Sequence, residues 1–510
     1  MERESIALLG IPVDNLTMNE ALNTIFHMTE SYAVDKIPKY VATVNVDFIV
    51  NTLSWRAGRS RHPELLDILR HADLVTPDGM PVIWASRLMD SPLRERVSGS
   101  DMVPEIAQRA SKTGKSLFLF GGESGTAEKA AKKLLSKYPG LRIVGTHSPE
   151  VATVGEEILD SSEKDREIVK KINDSKADIL MIALGNPKQE IWFARNRNAL
   201  KIPVSIGIGG TFGFITGEVA RAPVWMQRNG LEWVYRIIQD PGRLWKRYFT
   251  GLLKLCTNII HPIIIHKLLK TTISCKSILR KIHNCPAPEL EIRKDLAILT
   301  MPELMTRESL SIIKTRLKYL NEYRLLFDFK DTIYMDLYAM GFITGICRDF
   351  SRMKKSFYLT GIRARIIGLL KYNRIWDICE KRYIDNPELI PIQINSNDES
   401  SFYFTTVSDP GAFRMELHGR LDAANISKLD IPKITEFIGN KNCIMNLKNL
   451  RFIDSTGLIF FLKIKKHLSA YNRTPIMCNV NEDVMQIFNI TKLINLFKIM
   501  PDFYVDKPLI

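Results

Sequence analysis

The chain has 510 residues, 45% of them hydrophobic and 25% charged, with a formal net charge of +15. That length accommodates two to four domains of ordinary soluble composition, and the positive charge points to a polyanionic partner: nucleic acid, an anionic membrane surface or a phosphorylated substrate. The seven cysteines all fall in the second half without a CxxC pair, an odd, scattered set that reads as reduced thiols in a cytoplasmic protein and not as a disulfide frame or zinc site. The start, MERESIALLG, has no apolar signal core, and no uninterrupted apolar run reaches the roughly 18 residues needed to span a bilayer.

In chain order, the first 240 residues alternate short apolar runs with helical patterns. KYVATVNVDFIV reads as a strand entering a helix, and ADLVTPDGMPVIWASRL as a strand, a turn and an amphipathic helix. SLFLFGGESGTAEKAAKKLLSKY repeats that order, LRIVGTHSP is a strand, ADILMIALGNPKQEIWFARNRN is a further βα unit, and VSIGIGGTF is a strand ending in glycines. Repeated βα units predict a doubly wound, Rossmann-like α/β sheet, with ligands bound beyond the carboxyl ends of the strands. The turns holding Thr43, Asp78, Gly122, Asn186 and Gly209 belong at that edge.

Beyond Pro241 the character changes. No acidic residue occurs between Asp240 and Glu289, while Arg243, Lys246, Arg247, Lys254, Lys267, Lys270 and others cluster among apolar residues. This stretch predicts one or two amphipathic helices on an anionic surface, broken at Pro262; a helix docked on its own domain is the alternative.

The second half contains an internal repeat. LLFDFKDTIYMDLYAMGFITGICRDF and CIMNLKNLRFIDSTGLIFFLKIKKHL each give a strand, a turn, an aspartate and a helix, aligning Asp336 with Asp454. The expected organisation is a first domain over 1–245, a basic connector over 246–287, a repeat copy over 288–388, a linker over 389–399 and a second copy over 400–510.

SKTGKS ends like a phosphate-binding loop, but it lacks the leading glycine and precedes a strand instead of following one, so it cannot present phosphates to a helix N-terminus. No Asp-x-Asp clamp occurs, and the nine histidines show no metal-ligand spacing. In LGNPKQEIW, Asn186 reads as a helix cap, Pro187 as the first helical residue and Gln189 as a capping-box partner, with Lys188 adding charge. The free N–H groups of such a turn favour a phosphate, although a plain cap has the same pattern.

These segments resemble the WecG/TagA/CpsF glycosyltransferase family. LLGIPVDNLTMNEAL, TVNVDFIV, ADLVTPDGMPVIWASRL, RVSGSDMVP, LFLFGG, LGNPKQEIW and GIGGTFGFITGEVARAPVWMQRNGLEWVYRIIQDPGRLWKRY occur in the family's order over roughly residues 5–250. The resemblance implies metal-independent, inverting transfer from a UDP-sugar to a polyprenyl-diphosphate-linked acceptor, N-acetylmannosamine being the best-known sugar, in cell-surface polysaccharide synthesis. It implies no cofactor. It makes Asp78 the catalytic base and has Thr43 and Asn45 orient the sugar or the attacking hydroxyl. Asn186, Pro187, Lys188, Gln189 and Glu190, with Gly122, Gly209 and Gly210, form the donor site. Arg236, Arg243 and Arg247 face the acceptor diphosphate, because arginine offers a planar fork to diphosphate oxygens. It puts the enzyme on the inner face of the cell membrane.

LHGRLDAANISKL and LKNLRFIDSTGLIFFL resemble STAS domains of the anti-sigma-factor-antagonist type, over roughly residues 400–505. The resemblance implies a small α/β fold and a regulatory partner or kinase acting at Ser455; a simple cap at that serine is the alternative. In the first copy Leu337, Tyr338 and Ala339 replace the serine, threonine and glycine, so that copy is a degenerate STAS-like module that cannot take phosphate there. Two other functions fit the sequence: a non-catalytic nucleotide-sugar-binding scaffold and a STAS-based signalling regulator. Nucleic acid is not the expected partner, because the positive charge lies beside apolar residues and is not interleaved with stacking aromatics.

Overall fold

The computed structural model describes residues 3–56, 59–228, 231–274, 289–293, 296–320, 323–353, 355–385, 402–408 and 411–500. The first part contains β1 (Ser5–Leu8), β2 (Ile11–Asp14), α1 (Met18–Asp35), β3 (Lys39–Val44), α2 (Val46–Thr52), α3 (Pro63–His71), β4 (Leu74–Pro77), α4 (Met80–Leu88) and α5 (Gly99–Thr113). It continues through β5 (Ser116–Gly121), α6 (Thr126–Lys137), β6 (Arg142–His147), α7 (Ile158–Asp174), β7 (Ile179–Ala183), α8 (Lys188–Asn196), β8 (Val204–Gly207), α9 (Thr211–Thr216), α10 (Val224–Arg228), α11 (Glu232–Gln239) and α12 (Pro241–Ser274).

Six of these strands form one parallel sheet in the order β4-β3-β8-β7-β5-β6. Side chains alternate across it. Val41, Leu117, Leu119, Met181 and Ile206 enter one apolar layer with α1, α5 and α6, while Tyr40, Ala42, Phe118, Phe120 and Ile182 enter the other with α3 and α8. Both faces are thus covered, as a parallel sheet requires. β1 and β2 form a separate antiparallel hairpin.

The repeat is visible as two modules of like topology. The first holds β9 (Leu290–Arg293), β10 (Leu296–Thr300), β11 (Leu304–Met305), α13 (Arg307–Leu317), β12 (Arg324–Asp328), β13 (Tyr334–Met335), α14 (Leu337–Arg352), β14 (Phe357–Thr360), α15 (Ala364–Tyr372) and α16 (Trp376–Glu380). The second holds β15 (Tyr403–Ser408), β16 (Ala412–Leu421), α17 (Ile431–Ile438), β17 (Asn442–Ile453), α18 (Ser455–Ser469), β18 (Ile476–Cys478), α19 (Glu482–Ile490) and β19 (Lys498–Met500). The sheets run β14-β12-β10-β9 and β15-β16-β17-β18-β19, each with one antiparallel outer pair (β9 with β10, β15 with β16) and parallel neighbours otherwise. Asp336 and Asp454 cap α14 and α18 in the same way, each accepting an N–H three residues on at 2.8 Å. The linker expected over 389–399 lies outside the described residues.

The break expected at Pro262 is absent. α12 is a single helix of 34 residues with Pro262 inside it. Gly251, Lys254, Leu255, Asn258, Pro262 and His266 form its buried stripe, against α2 and α15. Asn258 Nδ2 reaches the Ser54 carbonyl at 3.1 Å, and His261 stacks on Tyr372. Packing on two domains carries the helix past a residue that weakens it locally. From Tyr248 to Thr271 it is long and apolar enough to cross a membrane by length and composition, although a third of its apolar 18-residue window is buried in the protein.

Candidate active site

The parallel sheet gathers the expected residues at its carboxyl edge. Thr43 ends β3, Asn45 follows it, Asp78 follows β4, Gly122 follows β5, Asn186 follows β7 and Gly209 follows β8. The Thr43 hydroxyl donates to the Gly207 carbonyl at 2.8 Å, tying β3 to β8. Asn45 caps α2, its side-chain oxygen accepting the Asp47 and Phe48 N–H groups.

Asp78 is half-buried, and its N–H donates to the Val44 carbonyl at 2.8 Å. The next residue, Gly79, has φ of 124°, which a side chain would strain, and a Cβ there would sit 3.7 Å from that of Asn45. Burial pushes the Asp78 carboxyl up to about 6, against the opposing pull of the Arg96 and Arg236 guanidiniums, with Glu232 adding to the rise. α11 supplies Glu232 and Arg236, which pair at 2.9 Å. Arg96 reaches Glu232 at 3.8 Å and Asp101 at 2.7 Å, and Arg221 reaches Asp101 at 2.7 Å. Arg96, Arg236 and Glu232 therefore act on Asp78, and Arg96 links them through Asp101 to Arg221. Arg96, Asp101, Glu232 and Arg221 escaped the sequence reading as partners, although each lies in a quoted motif. Arg243 and Arg247 sit in α12, and their side chains lie outside the described residues.

The turn after β7 departs from expectation. Pro187, joined to Asn186 by a cis peptide bond, is the residue preceding the helix, and no side chain caps α8. Gln189 forms no capping box: its Oε1 accepts the Gly209 N–H at 3.0 Å instead. The long-range partner wins because Gln189 is fully buried under β8 and cannot turn back to the helix end. Glu190 is equally buried and accepts from the Tyr40 hydroxyl and Asn186 Nδ2, each at 2.9 Å. Burial raises its carboxyl to about 7 against those hydrogen bonds. Lys188 is exposed. Gly122 donates its N–H to the Ala183 carbonyl at 2.9 Å. Cβ atoms placed at Gly185, Gly209 and Gly210 would meet nothing within 4 Å, so the backbone there is open to an approaching ligand. Two hollows, of about 280 and 500 Å³, lie around Asn173, Asp174 and Lys201 at the opposite edge of the sheet, lined by none of the residues above. Among the described residues, no three His, Cys, Asp or Glu side chains gather to hold a metal ion.

The sequence pattern of the glycosyl transferase WecG/TagA/CpsF family matches residues 6–267, just over half of the chain. The chain belongs to that family. It is a glycosyltransferase. The pattern of the STAS domain matches residues 403–504. The N-acetylglucosaminyldiphosphoundecaprenol N-acetyl-beta-D-mannosaminyltransferase of Bacillus subtilis (strain 168) is 33% identical over 248 residues, covering 48% of this chain and 87% of that one. The enzyme of the same name from Staphylococcus aureus (strain MW2) is 27% identical over 265 residues, covering 52% and 92%. Among solved structures, the anti-sigma factor antagonist SpoIIAA in its unphosphorylated form is 24% identical, covering 20% of this chain and 90% of that one, with a TM-score of 0.18. The glycosyltransferase pattern extends into α12, past the end expected for the first domain.

Proposed function

We propose that this glycosyltransferase moves a hexose, N-acetylmannosamine, from a UDP-sugar to an acceptor sugar joined through diphosphate to a polyprenyl lipid, in the assembly of a cell-surface polysaccharide. The names of the relatives supply the sugar and the acceptor. The feature that carries the mechanism is Asp78, at the carboxyl edge of the sheet, where burial raises its carboxyl to about 6 against the pull of Arg96 and Arg236. Its carboxylate takes the proton from the acceptor hydroxyl as that oxygen bonds to the anomeric carbon. The bond from that carbon to the diphosphate oxygen breaks, and UDP leaves with the electron pair, inverting the centre. Arg236, with Arg243 and Arg247, neutralises diphosphate charge, and Arg96 holds Glu232 and α11 in place. Gln189 and Glu190 work from beneath: one fixes Gly209, the other Asn186, so that the donor meets an open glycine wall.

Asp78→Asn is expected to lower transfer from UDP-N-acetylmannosamine to a short-chain lipid-diphosphate-N-acetylglucosamine by about 10²–10⁴-fold, with donor binding unchanged by calorimetry. Wild-type kcat/KM is expected to rise with pH and level off above about 6, because the base must be ionised. Full activity in the Asn variant would overturn the assignment.

We further place the chain on the inner face of the cell membrane through α12. Trp245, Phe249, Leu252, Ile260, Ile264 and Leu268 are each at least half exposed along one side of it, beside the exposed Lys246, Lys267 and Lys270. That pattern suits an anionic interface. Flotation with phosphatidylglycerol vesicles is expected for the wild type and lost in the double variant Leu252→Glu, Ile260→Glu. The second module we read as the regulatory element. Ser455 is 1% exposed, so a kinase reaches it only after the module separates from the transferase.

A further inference from the structure

The second module sits on the transferase with the start of α18 against α3. Glu64 of α3 accepts the Ser455 backbone N–H at 2.9 Å through Oε1. Its Oε2 is buried with no well-formed hydrogen bond to any described residue, as are Ser455 Oγ and Thr456 Oγ1. Asp454 adjoins them, its two oxygens already accepting the Gly457 and Ala423 N–H groups at 2.8 and 2.9 Å. Glu64 is 2% and Asp454 9% exposed. Two carboxyls from different domains thus meet in a dry joint.

The cations nearby are committed elsewhere. Arg195 of α8 pairs with Asp165 at 3.3 Å and donates to Ser161 and Ala152. Arg420 pairs with Asp67 at 2.9 Å and with Asp422 at 3.2 Å. Asp67, on the same helix as Glu64, and Asp422, beside Asp454, add negative potential. His71 lies by Asp67, Lys465 of α18 is spent on Glu156, and Arg59 on Glu482 of α19. Like charges held this close in low dielectric cannot both stay ionised.

We infer that docking of the second module on the transferase is proton-linked: Glu64 and Asp454 share one proton in the joint, so the module is held most tightly in acid and loosens as pH rises. Burial raises both carboxyls, Asp454 to about 8 with Glu64 and Asp422 adding to the rise, whereas at Glu64 the Ser455 hydrogen bonds and the Arg195 charge pull against burial. Apart from each other, the two groups titrate closer to ordinary carboxyls, near about 4. Docking therefore takes up a proton between those limits, and its equilibrium constant falls by up to about tenfold per pH unit across the window. Below it, the docked state is fully favoured; above it, the stabilisation is gone.

Hydrogen exchange of the full chain from pH 5.5 to 8.5, corrected for the intrinsic pH dependence of exchange, tests this at the Ser455 amide and along 63–71. Wild-type protection is expected to fall steeply with pH at both places, while the β3 and β8 amides hold theirs. Glu64→Gln keeps the acceptor without the charge. Its profile should be shallower than that of the wild type, Asp454 alone being left to titrate, and at pH 8 its protection should exceed that of the wild type. Asp454→Asn should flatten the profile from the other side of the joint. A flat wild-type profile would overturn the inference, as would a Glu64→Gln slope equal to that of the wild type. Loss of protection in Glu64→Gln at every pH would also overturn it, because an ionised Glu64 would then be the ligand required.

Discussion

The two modules share a topology and a capping aspartate, yet they join the transferase in opposite ways. In the first, Leu337, Met340 and Ile343 of α14 enter the same apolar cluster as Ile6, Leu8 and Val13 of the hairpin, so module and transferase have one core. Tyr338, at the position of Thr456, accepts from Asn15 and donates to the Pro92 carbonyl, both at 3.0 Å. The module's Arg374 reaches Leu9 and Thr52 of the transferase, and Arg70 of α3 pairs with its Asp377 at 2.6 Å. The second module keeps a core of its own, to which the transferase contributes Ile158. Beside that apolar contact its joint carries carboxyls, hydroxyls and ion pairs. Where Leu-Tyr-Ala replaces Ser-Thr-Gly the helix start enters a shared apolar core, while the copy that keeps Ser-Thr-Gly meets Glu64 through polar groups.

The comparison breaks most visibly at Gly341. A Cβ there would lie 2.1 Å from the Ser5 carbonyl oxygen, a backbone atom that cannot swing aside. Gly341→Leu must push α14 off the hairpin and open the shared core. It is expected to cost about 3 kcal/mol, the upper end of overpacking penalties, and to lower the urea midpoint of the transferase and the first module together. If the transferase unfolded at its wild-type midpoint, the single-core description would fail.

How much of this was legible in the sequence differs by layer. The βα alternation fixes where strands end, and so places Thr43, Asp78, Asn186 and Gly209 on one edge without tertiary information. The repeat was legible because an aspartate before a helix is a local signal, and Asp336 and Asp454 act alike. Pro262 misled because a helix break is a local tendency, whereas α12 is held by partners as distant as Ser54 and Tyr372. Gln189 misled for the same reason, its partner being Gly209 across the sheet. The linked set of Arg96, Asp101, Glu232 and Arg221 has no spacing to betray it, because α11 brings Glu232 to Arg96 from more than a hundred residues away. Neither docking seam was legible: Leu337, Tyr338 and Ala339 signalled lost phosphorylation chemistry but gave no hint of what the helix now covers.

Two smaller substitutions sharpen the contrast at the polar joint. Arg420 spans it, pairing with Asp67 while lying 4.0 Å from the centre of the Phe452 ring. Although burial alone would raise Asp67, Arg420, with help from His71, holds its carboxyl well below the usual range. Arg420→Ala leaves Asp67 in the joint without its main counter-charge and is expected to weaken docking by about 1–2 kcal/mol, discounted for partial exposure. Protection at α18 should fall by about tenfold at any pH, with its pH slope intact and the urea midpoint of the first module unchanged. The Arg59–Glu482 pair crosses the same joint at its rim, with both side chains more than half exposed. Water screens such a pair, and two long side chains lose freedom to form it, so Arg59→Ala is expected to change protection by less than about 0.5 kcal/mol. If it instead loosened the module as much as Arg420→Ala, the joint would be held by its charged rim, and the buried carboxyls, with the proton they share, would not govern when it opens.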